Sequence, residues 1–350
     1  MSFFISKRTQ LLAVFLAIGL LPGIGFSVFS LKVIKDAMIA QSLVQLETIR
    51  DIKSQQVEDY MMERDSDLVM LSVILGKVGE EKQGHVEIDK AHMAMAVNYF
   101  SEFIWAYGYA ALYLLDTKGQ VIHALDAQGN VHGQGEWAKD FSPALARLHG
   151  RIMKTRTRAF EDFSREPGEK APHAFLGRPF VGPQGVESIL ALKLPVDGIN
   201  LLVGSQDRVK RTMDVYIVGE DALLRSDSFL LPREYSVAAS FAEPADHRIQ
   251  TRPSESALGG QTGTMVAEDY RGERVLSAFK PISVLGRTWG VMAEVDEREV
   301  LAPLGRMFLT VGMVGLVVIG AVLWLSFVLS HRFSPPEVVG MDPDIMGPHC

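Results

Sequence analysis

The chain has 350 residues, 47% of them hydrophobic, a net charge of -7 and a single cysteine, Cys350. A mean hydropathy of +0.13 marks a folded chain with membrane content rather than a disordered one. The acidic balance gives no footprint for nucleic acid, and one cysteine excludes an internal disulfide, a zinc finger and Cys-x-x-Cys redox chemistry.

Residues 1–10 carry Lys7 and Arg8 ahead of an apolar run, Leu11–Leu31. A cleaved signal peptide and a retained anchor both begin this way. The run of about 21 residues exceeds the usual core of about 7–15, and no clear small-x-small site follows it, so a first transmembrane helix over 11–31 is favoured. Gly19-Leu-Leu-Pro-Gly23 offers either a close helix approach or, through Pro22, a kink. From Lys32 to Lys77 there is no proline and one glycine, Gly76. Met38, Ile39, Leu43, Leu46, Ile49, Ile52, Val57, Tyr60, Met61, Leu68, Leu71 and Leu75 recur there at helical spacing. That pattern predicts a long amphipathic helix, within a helix-and-connector segment of 32–88.

The 270 or so residues between the two long apolar runs exceed one domain of about 100–150 residues, so two modules are expected. The first, 89–204, opens with a helix over Asp89–Tyr107. A hairpin follows, Ala110–Asp116 and Gln120–Leu125 about Thr117-Lys118-Gly119, which starts a PAS-like sheet. A glycine-rich loop then leads to a capped helix, Ser142–Lys154, with Pro143 in its first turn. Strands are expected at Arg158–Phe163, His173–Phe180 and Val186–Leu194. The second module, 205–305, has short strands at Val215–Val218 and Leu223–Ser226 and a variable segment to Arg252. Its closing strands, Arg274–Pro281 and Thr288–Val295, are joined across Leu285-Gly286-Arg287, and Asp296–Leu304 returns to a helical pattern. Phe308–Leu329 then offers 22 residues without a charge, a second transmembrane helix. The tail, 330–350, holds four prolines and is too short to pack a core.

Catalytic signatures are missing from the sequence. It has no G-x-S-x-G, H-E-x-x-H or phosphate-binding glycine loop in a suitable context, so the chain reads as no enzyme. The nine histidines lack ligand spacing, and neither a metal nor a cofactor is expected. His349-Cys350 would make a poor metal site, and the carboxylate pairs Glu161-Asp162 and Glu220-Asp221 read as turn and surface residues.

The sequence DYRG-x-x-VLSA-x-x-P followed by G-x-x-WG-x-x-AE-x-D, within 269–304, resembles the closing strands of bacterial double Cache sensor domains. Such domains occur in methyl-accepting chemotaxis proteins, receptor histidine kinases and receptor cyclases or phosphatases. Further similar stretches lie in the same order at 109–125, 160–200 and 215–228, so the resemblance spans roughly 33–305. It implies an α+β fold: a long N-terminal helix with two PAS-like antiparallel-sheet (Cache) modules, bracketed by two transmembrane helices. It also implies an extracytoplasmic domain, since Lys7 and Arg8 favour a cytoplasmic N-terminus but Lys32 and Lys35 blunt that bias. The long helix can mediate dimer contacts in this family, or simply pack on its own sheets.

The resemblance places a ligand in the membrane-distal module, where Trp105, Tyr107, Tyr113, His123, Trp137, Phe141, Asp162 and Arg178 lie. Trp105, Tyr113, Trp137, Asp162 and Arg178 are the expected ligand contacts; Arg178 would pair a carboxylate. Amino-acid-binding relatives carry Arg-x-Trp-Tyr where this chain has Gly135-Glu-Trp-Ala138, so amino acids are not supported as ligands. Arg332-Phe-Ser-Pro-Pro336 resembles the start of a HAMP domain, after which the likeness stops. The expected protein is therefore an inner-membrane sensor of a small molecule that lacks its own output domain. It would be a truncated receptor, or a subunit acting as a homodimer or with a full-length receptor. A membrane-tethered scaffold and a periplasmic enzyme are the alternatives.

Overall fold

The computed structural model describes the backbone of residues 7–78, 80–82, 85–87, 90–126, 128–130, 135–182, 185–204 and 210–332. Side chains are described for 22–23, 25–75, 98–126, 128–130, 135–140, 142–181, 185–204, 210–325 and 328. Two compact units divide the chain, residues 39–300 and residues 1–38 with 301–350.

Helix α1, Lys7–Val78, runs unbroken through both the expected anchor and the expected long helix. The segment Leu11–Leu31 is helical, and most of its side chains lie outside the described residues. Between Ser42 and Leu75 the buried positions are Ser42, Leu46, Arg50, Ser54, Val57, Met61, Arg64, Leu68, Leu71 and Leu75. Steps of three and four make this one helical stripe. Ile52, expected on the apolar face, is exposed, while Arg50 and Arg64 are buried because each reaches a backbone carbonyl of a sheet module. Arg50 Nη1 donates to Gly263 O and Phe279 O at 3.2 and 3.3 Å, and Lys53 Nζ donates to Leu202 O at 2.5 Å.

A two-stranded hairpin, β1 (Glu80–Lys82) and β2 (His85–Glu87), precedes α2 (Lys90–Tyr107). The first large sheet is built from β3 (Ala111–Asp116), β4 (Val121–Asp126), β5 (Ala159–Ser164), β6 (His173–Gly182) and β7 (Gly185–Pro195). Its order is β4-β3-β7-β6-β5, antiparallel throughout. Between β4 and β5 come the short α3 (Ala138–Phe141) and α4 (Pro143–Thr155). Ser142 caps α4 by accepting from Leu145 N at 3.2 Å, with Pro143 in the first turn as the sequence predicts. Leu145, Leu148 and Ile152 of α4 pack on Leu115, Phe175, Ile189 and Ala191 of the sheet. A Cβ at Gly177 would meet Leu148 and Ile152 at 2.8 and 3.0 Å, so glycine lets the helix lie this close.

Helix α5 (Asp197–Val203) leads to the second large sheet, made of β8 (Asp214–Val218), β9 (Gly263–Glu268), β10 (Arg274–Val284) and β11 (Arg287–Asp296) in the order β8-β11-β10-β9. Helices α6 (Val237–Ala242) and α7 (Arg252–Leu258) lie between β8 and β9 in the chain, and the sequence reading named neither them nor β9. Leu285 and Gly286 have φ of 49° and 89°, the two-residue hairpin turn whose twist suits antiparallel strands. The expected strand Leu223–Ser226 is absent; only an isolated bridge, Val218↔Leu224, forms there. Ala222 at φ 63° turns the chain, and Arg225 is drawn into the interior.

That arginine joins the modules. Its guanidinium, 2% exposed, donates to Asp162 of β5 through Nε (3.0 Å) and Nη2 (2.9 Å), and Asp221 lies 3.0 Å away. Trp289 Nε1 of β11 donates to the same Asp162 at 3.1 Å, and its buried ring meets Phe160 and Phe163 at 6.3 and 6.2 Å. Helix α8 (Glu297–Arg332) begins directly after β11, and Glu299 in its first turn accepts from Arg211 N (2.9 Å) and Thr212 N (2.7 Å). Its segment Glu297–Leu325, mean hydropathy 2.5 in its most apolar stretch and unburied there, is long and apolar enough to cross a membrane, the one such helix among the described residues. The expected tail beyond Arg332 lies outside those residues.

Asp162→Ala leaves the Arg225 guanidinium buried with only the half-exposed Asp221, so denaturant unfolding of the full chain should show a loss of about 3–5 kcal/mol. Trp289→Phe should lose about 1 kcal/mol. An Asp162→Ala chain as stable as the wild type would show that the modules do not depend on this pair.

Candidate functional site

Strand β7 is central, paired on both sides, and its inward positions Ile189 and Ala191 belong to the apolar core beneath α4. The next inward position is Lys193, paired in register with Phe175 and Ala111. A lysine in an apolar strand, 7% exposed, needs an anion at hand. Glu169 supplies it as an ion pair with the ammonium, and the Phe175 ring centroid lies 5.9 Å from Nζ.

Glu169 belongs to the connection between β5 and β6. Its N donates to Glu166 O (3.1 Å), its O accepts from Arg165 Nε (3.0 Å), and Gly168 at φ 81° makes the turn. Glu169 Oε2 lies 2.8 Å from His173 Nδ1 without the alignment of a hydrogen bond. Glu166, 5% exposed, accepts from Ala144 N at 3.3 Å through Oε1, while Oε2 has no hydrogen-bond partner among the described residues. Burial, and then the Lys193 charge, pull the His173 pKa down against the effect of Glu169, so the imidazole is neutral near pH 7. Burial, then the charges of Glu169, Glu166 and Asp126, push the Tyr113 hydroxyl above its usual range. Tyr113 therefore stays protonated, with its ring 6.2 Å from Phe175. Two acids, a lysine, a neutral histidine and a phenol thus meet around Phe175, at the edge of the core under α4.

Of the five expected contacts, only Tyr113 joins this cluster. Asp162 follows Glu161 on β5 and faces the other side of the strand, where it pairs with Arg225 and accepts from Trp289. Arg178 follows Gly177, whose Cβ position faces α4, so its side chain lies on the opposite face of the sheet. Trp105 is 75% exposed on α2. Trp137 bridges to Gln120 at the start of α3, partly exposed, with Lys139 Nζ 5.7 Å from its ring. The Phe141 side chain lies outside the described residues. Glu166, Glu169, His173 and Lys193 were missed. The signal for Lys193 was present, a charge at an inward position of a nearly continuous apolar strand, Ile189–Leu194.

The second sheet holds its own polar cluster. Asp214 Oδ2 accepts from Ser228 Oγ (2.8 Å) and Tyr270 Oη (2.7 Å), and Glu294 accepts from Ser277 Oγ (2.7 Å) and Tyr216 Oη (3.1 Å). These carboxyls are saturated by the protein itself and knit β8, β10 and β11 together. Among the described residues no group of three His, Cys, Asp or Glu side chains is placed to hold a metal ion.

No family model and no curated protein matches this sequence. Solved structures do. The periplasmic sensory domain of the Campylobacter jejuni chemoreceptor Tlp1 superposes with a TM-score of 0.57 at 10% identity, covering 76% of this chain and 99% of that one. The ligand-binding domain of the Pseudomonas fluorescens chemoreceptor CtaA, solved with L-isoleucine, gives 0.50 at 10% identity, over 77% of this chain and 98% of that one. The chain has the fold of a double Cache sensor domain.

Burial, opposed by the Ser277 hydrogen bond and reinforced by the charges of Asp269 and Asp214, pushes Glu294 up to about 8. The folded chain therefore holds this proton more tightly than the unfolded one, where the value is near 4.5. The associated stability is full below about pH 4.5, declines as pH rises and is lost above about pH 8. Melting curves of the wild type should fall relative to Glu294→Gln across that window, by up to about 1.4 kcal/mol per pH unit. Parallel curves would show that Glu294 does not carry the proton.

Proposed function

We propose that the chain is an extracytoplasmic small-molecule sensor, held in a bacterial inner membrane, that binds its ligand beneath α4 of the first sheet. The observation that carries this is the polar cluster of Tyr113, Glu166, Glu169, His173 and Lys193 set against an otherwise apolar core. Ionisable groups placed there lower stability unless they recognise something, and an apolar wall with a few convergent polar groups is how small-molecule sites are built. Tyr113 is retained from the sequence-predicted contacts, with Glu166, Glu169, His173 and Lys193 in place of Trp105, Trp137, Asp162 and Arg178. Binding without turnover is proposed, since the cluster has no activated nucleophile.

In this reading Leu11–Leu31 and Phe308–Leu329 are two spans, 89–204 and 205–305 are the distal and proximal modules, and both termini face the cytoplasm. A conformational signal, chemotaxis-like in kind, passes to a second copy or to a full-length receptor. Support comes from the fold shared with chemoreceptor sensory domains and from the apolar helix that begins where β11 ends.

Two measurements test this. The full chain in lipid nanodiscs, heated with panels of short carboxylates, amines and amino acids, should melt higher with at least one class, by about 2.7 kcal/mol at a hundredfold excess over Kd. Lys193→Met should erase the shift, and no added compound should be consumed. No stabilisation by any class would leave a scaffold, and consumption would indicate an enzyme. A reporter active only outside the cytoplasm should be active when fused after Lys210 and silent after Arg332; the reverse result would overturn the topology.

A further inference from the structure

Resting on that reading, we infer that Glu169 is a built-in substitute for a ligand carboxylate: the site takes a short carboxylate, which Lys193 binds in Glu169's place. The two partners of this ion pair differ in how they are held. Lys193 is fixed on a strand with neighbours on both sides and is 7% exposed. Glu169 sits on a turn outside the sheet, and its side chain is 35% exposed. The ammonium can neither leave the interior nor stand there without an anion, whereas Glu169 can swing into water at little loss. Exchanging one carboxylate for another conserves the charge of the site. A cationic ligand would instead bring a second positive charge beside Lys193.

The surrounding groups fit the same exchange. His173 Nδ1, 2.8 Å from Glu169 Oε2, is a neutral second arm beside the carboxylate that Lys193 holds. Tyr113 and Phe175, in direct ring contact with centroids 6.2 Å apart, give the apolar wall beside the pair. Glu166 Oε2, buried and without a hydrogen-bond partner among the described residues, calls for a donor on the ligand. A carboxylate with a neighbouring hydroxyl or ammonium satisfies both ends, so lactate should bind better than propionate.

Calorimetry on the full chain in nanodiscs, with propionate, lactate, alanine and ethylammonium as probes, tests the exchange. Glu169→Gln removes the competing carboxylate. It should bind lactate about two- to fivefold more tightly than the wild type, because a partly exposed pair competes only weakly. Its melting temperature should fall without additive and recover with lactate. Lys193→Met should weaken lactate by about thirtyfold or more. Carboxylate binding that Glu169→Gln leaves unchanged or weakens would overturn the exchange. Ethylammonium binding that is lost in Glu169→Gln would also overturn it, making Glu169 the amine receptor, and would leave the sensor reading standing. Failure of every probe and of the wider panels to bind would remove both.

Discussion

The ion pair between Asp162 and Arg225 holds the arrangement on which the rest of the 39–300 unit depends. A guanidinium at 2% exposure is tolerable only with its charge matched and its N–H groups directed at acceptors. Asp162 meets both conditions by bidentate geometry, and Trp289 adds a third donor to the same carboxylate. The neighbouring sequence is constrained accordingly. A Cβ at Gly219 would collide with the Arg225 guanidinium, so the turn after β8 has room for glycine alone. Phe160, Phe163 and Trp289 close the apolar surface around the pair.

Strand β5 does two jobs through adjacent residues. Because side chains alternate, Glu161 points to α4, where Arg147 Nε and Arg151 Nη2 hold it at 2.5 and 2.8 Å, while Asp162 points to the second module. The strand thus fixes both the helix that roofs the cluster and the sheet that continues toward α8. Only Arg165 separates Ser164, the end of β5, from Glu166 and its contact with the α4 N-terminus.

Regular periodicity made much of the fold legible. The stripe of α1, the hairpin β3–β4, the cap of α4 and the pair β10–β11 all follow from local pattern, because there the local preference and the packing agree. The failures fall where a distant partner decides. Leu223–Ser226 has the composition of a strand, but Arg225 is pulled toward a carboxylate 63 residues earlier in the chain. Helices α6 and α7, of six and seven residues, are too short for periodicity to declare them and depend on caps from Ser236 and Thr251. The same limit governed the site. A sequence shows that Asp162 and Arg178 are polar but not which face each occupies, and strand phase put both on the side away from α4. Lys193 was recoverable only by asking what a charge is doing in the apolar run that surrounds it.

The cluster and the module-joining pair are therefore connected through very little structure. Ser164 ends β5 two residues after Asp162, and the turn that carries Glu166 and Glu169 begins immediately beyond it. A ligand can shift an arrangement only by the difference in its contacts between two states. Movement of Glu169 changes the turn, and the turn is anchored at one end by the strand that holds Arg225 and at the other by His173 at the start of β6. The first module meets the second through Arg225 and Trp289 on Asp162 and through Asn200 with Asp227, while α1 is bound separately to both modules: Arg64 Nη1 to Tyr107 O at 3.4 Å and Tyr109 Oη to Asp67 at 2.5 Å in the first, Arg50 to Gly263 and Phe279 in the second. The contacts on Asp162 and the hydrogen bonds from α1 to both modules are therefore the two routes by which a displacement beneath α4 would reach the sheet from which α8 begins.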